Sequence, residues 1–190
     1  MLTLYIDFKS AGAYLAMTPT LALAERHGLA IDWRPFKTLQ REVPNLGENE
    51  SVGARHRRVR AIAERAVATK YAAHQGIDLR YPVPHGVTDL ALGVLACLEG
   101  DKLPFIQAAF EAYWADHADL DEAATVSALI AKSGASYGGD LAAARDALAE
   151  AQAAAEAAGI IGTPAYICAD QLFVGREHLP WIEELVRETA

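Results

Sequence analysis

Residues 2–36 read LTLYIDFKSAGAYLAMTPTLALAERHGLAIDWRPF, and this stretch decides the fold. Leu2 to Phe8 alternates apolar and polar residues and is rich in β-formers, the pattern of a strand. Lys9-Ser10-Ala11-Gly12 is a short break. Ala13 to His27 is apolar at helical spacing through Tyr14, Met17, Leu21 and Ala24, and Gly28 suits the position just past a helix end. Pro19 lies inside this stretch and is expected to kink it or mark an irregular turn, because proline has no N–H to donate. Leu29 to Phe36 reads as a second strand. Strand, helix, strand makes a βαβ unit with a right-handed connection.

The far end of the chain returns to β structure. Gly159 stops an Ala-rich helix, and Ile160-Ile161-Gly162-Thr163-Pro164 leads into a short strand, Ala165 to Cys168. Ala169-Asp170 reads as a hairpin turn, Gln171 to Val174 as the returning strand, and His178 to Glu188 as an amphipathic helix. Between the two ends the chain is helical. A polar, loop-like stretch at 37–51 precedes a helix over Val52 to Gln75 that starts basic. A Pro/Gly connector at Tyr81 to Gly86 follows, then an apolar helix over Thr88 to Glu99, with Thr88 or Asp89 as its cap. Pro104 to Ala115, Glu122 to Lys132 and Asp140 to Ala158 are three more helices. The last is so rich in alanine that it is expected to pack closely on a neighbour. The order β-α-β, helices, β-β-α is that of an α/β thioredoxin-like fold with a large inserted helical subdomain. Residues 1–37 and 159–190 form its halves and 38–158 the insertion, in one compact unit.

Composition narrows the function. The 190 residues carry 17 Lys plus Arg against 25 Asp plus Glu, a net charge of −8. An acidic chain is a poor candidate for phosphate-backbone binding, which needs clustered Lys and Arg, so no nucleic-acid partner is expected. The longest uncharged apolar run, Leu90 to Leu98, is too short to span a bilayer, and no secretion signal is visible, so no membrane partner is expected. Two distant cysteines, Cys97 and Cys168, form no CxxC pair, which points to the reducing cytoplasm. The six histidines show no ligand spacing, so no metal site is expected.

Two places carry candidate chemistry. The first strand–helix turn holds Ser10, at a helix N-terminus whose N–H groups and dipole favour an anion. Its hydroxyl either caps the helix or donates to a bound ligand. Thr163-Pro164, at the mouth of a strand, is either an ordinary trans proline at a sheet edge or a cis peptide. A cis bond would expose the Thr163 backbone for pairing with an extended ligand.

These pieces resemble one family. Asp7-Phe8-Lys9-Ser10 followed by Tyr14-Leu15-Ala16 is similar to the D-F-x-S-P-Y-S-Y-L-A start of the 2-hydroxychromene-2-carboxylate isomerase and kappa-class glutathione transferase group, within the DsbA-like thioredoxin superfamily. Gly159 to Pro164 resembles its G-V-F-G-V-P loop, whose proline is cis, and Leu172 to Leu179 its E-L-F-W-G-x-D-R-L segment. The resemblance covers nearly the whole chain. It implies that Ser10 positions or activates the thiolate of a glutathione cofactor, and that Thr163 and Pro164 align its backbone. Glu177 and His178 would stand at its amino-terminal end, where the family has Asp-Arg. It further implies an isomerase acting on an aromatic unsaturated carboxylate, as a homodimer. Ala11-Gly12-Ala13 replaces the family's P-Y-S, and with Ser10 and Ala13 at the dithiol positions CxxC exchange is excluded there. A kappa-like glutathione transferase and a non-catalytic binding module on a decayed site are the rival readings.

Other residues have open roles. The basic run Arg55 to Arg60 either receives a substrate carboxylate or is a solvated face. Phe110, Tyr113 and Trp114 are core or pocket wall. Asp7 orients polar groups near Ser10 or bonds the local backbone. Cys97, in an apolar helix, and Cys168, in a strand, are expected to be inert.

Overall fold

The computed structural model describes residues 1–39, 51–81 and 86–189. Most of the polar stretch and of the Pro-rich connector lies outside them. Strand β1 (Leu2–Ile6) pairs in parallel with β2 (Ile31–Pro35) across α1 (Ala11–His27), as the βαβ reading requires. On its other side β1 pairs antiparallel with β3 (Ala165–Cys168), which forms a hairpin with β4 (Gln171–Val174), giving the order β2-β1-β3-β4. The hairpin turns on Ala169 and Asp170, with φ of +45° and +61°, the two positive values a two-residue turn of this kind demands. Because β1 is central, both its faces are covered. Leu2, Leu4 and Ile6 enter the main core, while Tyr5 joins Phe36, Ile160 and Ala165 on the other face.

The inserted helices share that main core. Helix α3 (Asp89–Cys97) is buried from Leu90 to Leu95, and α4 (Leu103–Trp114) contributes Phe105, Phe110, Tyr113 and Trp114 to the cluster that holds Leu4 and Ile6. Helix α5 (Ala123–Ser133) adds Val126 and Leu129. The Ala-rich α6 (Leu141–Ala157) lies hard against α3, as its composition suggested. A Cβ on Gly93 would stand 2.1 Å from the Ala144 carbonyl oxygen, so only glycine permits this approach. Helix α7 (Leu179–Thr189) buries Leu179, Ile182 and Val186, and follows a 3₁₀ turn over Arg176–His178.

Two expectations change. Pro19 marks no irregular turn, since α1 runs as one helix from Ala11 to His27. A proline at position 19 withholds the N–H that Leu15 O would accept, and Gln75 supplies a substitute: its Nε2 donates to Leu15 O at 3.1 Å. Gln75 ends α2 (Val52–Gln75), a helix capped by Ser51 and buried only at Ala68 and Ala72, which pack on Leu15. Thr88 precedes α3 but its side chain does not cap it; the hydroxyl is drawn instead to Asp7. Among the described residues no helix is long and apolar enough to cross a membrane.

Candidate functional site

The turn from β1 into α1 is closed by the Ser10 N–H donating to Asp7 O at 2.9 Å. The Ser10 hydroxyl then does two things at once. It accepts from Ala13 N–H at 3.1 Å, capping α1, and donates to Thr163 O at 3.1 Å. The Thr163–Pro164 peptide is cis. Pro164 is buried beneath the turn, where a Cβ on Gly12 would lie 3.4 Å from its Cδ, and Pro164 O accepts from Gly175 N–H at 2.8 Å. The Oγ1 of Thr163 is buried without a hydrogen-bond partner.

Ser10 and Thr163 open on a cleft of about 1000 Å³. Gly12, Glu177, Tyr81 and Trp114 border it together with Ile62, Arg65 and Ala68 of α2. Trp114 is fixed by its Nε1–H donating to Phe8 O at 2.9 Å. Arg65 lies over the Tyr81 ring at 4.6 Å, and Arg176 over the Tyr71 ring at 3.6 Å, so each guanidinium is held on an aromatic face. Lys9, Arg65 and Arg176 set three cations on the lining against Glu64 and Glu177.

Behind Ser10 is a buried polar knot. Asp7 is fully buried and does both things proposed for it. Its Oδ1 accepts from the local Lys9 N–H (3.2 Å) and from Thr88 Oγ1 (2.9 Å), and its Oδ2 from Thr38 N–H (2.8 Å) and Thr38 Oγ1 (2.7 Å). The Lys9 ammonium stands 3.3 Å from Oδ2.

Of the residues read from the sequence, Ser10, Thr163 and Glu177 line the cleft and Pro164 underlies it. His178 does not line it; its ring packs toward Phe173 at 6.0 Å. The cation that reaches the cleft from this segment is Arg176, two residues earlier. Three residues per turn in a 3₁₀ helix send positions 176 and 178 in different directions. On the basic run, Arg55, His56, Arg57 and Arg60 are exposed and away from the lining, where α2 instead presents Arg65. Phe110 stacks on Tyr14 at 4.9 Å and is core; Trp114 is both core and wall. Cys168 is buried, and burial pushes its thiol up, which keeps it neutral. Cys97 is exposed at the end of α3 rather than packed in it. No cluster of His, Cys, Asp or Glu suited to a metal ion occurs among the described residues. Sequence reasoning passed over Lys9 and Arg176 although both sit inside the quoted motifs, because charge alone does not say which face a side chain takes.

A helix N-terminus carrying Ser10 against a cis-proline loop, in front of a β-β-α end, defines the thioredoxin-fold class. Within it, the chain belongs to the DSBA-like thioredoxin domain family, whose family model matches residues 1–187. Among solved structures it is similar to one of 2-hydroxychromene-2-carboxylate isomerase, with a TM-score of 0.72 at 20% identity over 99% of this chain and 95% of that one. It is also similar to a probable DsbA oxidoreductase from Streptomyces coelicolor, with a TM-score of 0.72 at 16% identity over 98% and 88% of the two chains. A third is the cytosolic disulfide reductase DsbM from Pseudomonas aeruginosa, solved with GSH, with a TM-score of 0.59 at 16% identity over 99% and 96%. At these identities the likeness is one of fold. No curated protein sequence matches the chain.

Proposed function

We propose that the protein is a glutathione-dependent isomerase of the 2-hydroxychromene-2-carboxylate isomerase type, acting on an aromatic unsaturated carboxylate as a cytoplasmic homodimer. The observation that carries this reading is Ser10, a hydroxyl at the N-terminus of a 17-residue helix, facing the cis-proline loop on a large cleft. The residues present fit the cofactor. Thr163 Oγ1 is a buried polar atom lacking a partner beside the backbone that an extended tripeptide would follow. Arg176 and Glu177 offer opposite charges on one short turn, matching the carboxylate and ammonium of a γ-glutamyl end. The cation assigned to His178 is thus replaced by Arg176.

Glutathione, when bound, supplies a sulfur nucleophile that adds reversibly to an unsaturated bond. The chain's own part is electrostatic. Ala11 and Gly12, in the first turn of α1, have amides with no intrahelical partner, and they face an anion favourably. The Ser10 hydroxyl has one hydrogen, now directed at Thr163 O. Rotating it toward a sulfur anion keeps the Ala13 bond, which Ser10 receives rather than gives. Tyr81, Trp114 and the apolar residues of α2 on the lining offer apolar surface to an aromatic ring.

That engagement of the Ser10 hydrogen also favours the rival reading of a binding module, in which Ser10 serves only to tie the turn to the loop. Calorimetric titration with reduced glutathione separates them. Saturable binding that weakens about tenfold in Ser10→Ala supports the thiolate site. No binding at several millimolar overturns the isomerase reading. Recovery of free glutathione with an isomerised product, in place of a conjugate, then excludes the kappa-like transferase.

A further inference from the structure

The strongest unexplained charge in the molecule is Lys9. Its side chain is 5% exposed, yet the residue lines the cleft beside Ser10. Asp7 is its ion-pair partner among the described residues, and Asp7 has no hydrogen-bonding capacity left for it. A carboxylate offers about four lone-pair sites. In Asp7 these are taken by Lys9 N–H and Thr88 Oγ1 on one oxygen, and by Thr38 N–H and Oγ1 on the other. The ammonium therefore contributes a charge contact at 3.3 Å to an oxygen whose lone pairs are already taken. Donors left over in this way can take an acceptor that enters the cleft. The other cleft cations differ. Arg65 is exposed and Arg176 half-buried, and both are stacked on tyrosine rings.

We propose that Lys9 is the specificity-determining residue of this cleft, its ammonium taking a carboxylate of the substrate while Asp7, clamped by Thr38 and Thr88, holds it in place. The proposal rests on the isomerase reading for its substrate class, an unsaturated carboxylate, but not for its anion. The pair Asp7–Lys9 is neutral, so an arriving carboxylate needs a second positive source. With the N-terminus of α1 given to the sulfur anion, Arg65 supplies one, on the same lining and over the Tyr81 ring. The carboxylate would then lie at Lys9, with the attached unsaturated chain along Tyr81 and Trp114.

The test compares two probes of one shape, trans-cinnamate and trans-cinnamamide, by calorimetry on the full chain. Wild type is expected to bind the carboxylate about tenfold more tightly than the amide. Lys9→Met keeps the stem without the charge and is expected to lose that preference, while its affinity for reduced glutathione stays within roughly twofold. Because Lys9→Met leaves Asp7 unpaired, the double variant Asp7→Asn/Lys9→Met repeats the measurement with both charges removed, circular dichroism confirming the fold. A wild type without the preference overturns the proposal, as do variants that retain it. A Lys9→Met protein that loses glutathione while still preferring cinnamate also overturns it. Loss of the preference in a chain that never binds glutathione upholds the Lys9 site and defeats the isomerase reading instead.

Discussion

Ser10 and Thr163, 153 residues apart in the chain, are joined by a 3.1 Å hydrogen bond from hydroxyl to carbonyl, and this bond closes the site. It connects the first helix of the chain to the loop that opens the last β-hairpin. The same oxygen caps α1 through Ala13. A residue with a catalytic reading thus has a structural duty, and the two can be separated. Ser10→Ala is expected to lower stability by about 1–2 kcal/mol, from the lost cap and the lost link, while Ser10→Thr keeps both bonds and stays near wild type. Urea unfolding of the two variants checks this.

Gln75 performs a repair that the sequence alone does not announce. Its Nε2 donates to Leu15 O, the carbonyl that Pro19 leaves without a partner. Gln75→Leu is expected to cost about 1 kcal/mol in wild type and much less in Pro19→Ala, where the restored N–H serves Leu15. A double-mutant cycle by denaturant melts measures the coupling, and simple additivity would refute it.

Gly93→Ala is expected to destabilise the protein by about 3 kcal/mol, although alanine favours helices. The added Cβ would meet Ala144 O at 2.1 Å and Ala144 C at 2.6 Å, and backbone cannot swing aside. Thermal unfolding that leaves the variant unshifted would show that α3 and α6 are not so closely packed.

Tyr166 and Thr20 share a buried hydroxyl contact at 3.0 Å. Burial first, opposed by that bond, pushes the Tyr166 phenol up to about 12. In the unfolded chain it ionises near 10, so above that pH the unfolded state sheds its proton first. Stability from this group is complete below about pH 10 and is lost as pH rises through 12. Tyr166→Phe is expected to cost about 1 kcal/mol at neutral pH, by stranding Thr20, and to flatten the alkaline fall in stability between pH 10 and 12. Denaturant midpoints across that range supply the comparison.

Much of this was legible in advance. The strands at Ala165–Cys168 and Gln171–Val174 and the helix at Val52–Gln75 follow from periodicity and from the residues that bound them, because local propensity and burial agree there. Helix-end chemistry and the strand-mouth proline single out Ser10 and Thr163-Pro164, and the family resemblance adds Glu177 and His178. Ser10, Thr163 and Glu177 line one cleft, with Pro164 beneath it.

What the amino-acid sequence determines by itself is the order of elements, the turn that carries Ser10 and the absence of cysteines beside it, since these depend on neighbours within a few residues. The tertiary structure alone decides which charges meet. Lys9 is tethered to an Asp7 already saturated by Thr38 and Thr88, 31 and 81 residues further along the chain. It also decides that Arg176 reaches the cleft where His178 packs near Phe173, and that Gln75 mends the carbonyl left by Pro19. Hydrogen bonds and ion pairs act over about 3 Å, so their partners are fixed only when distant segments have been brought to that distance.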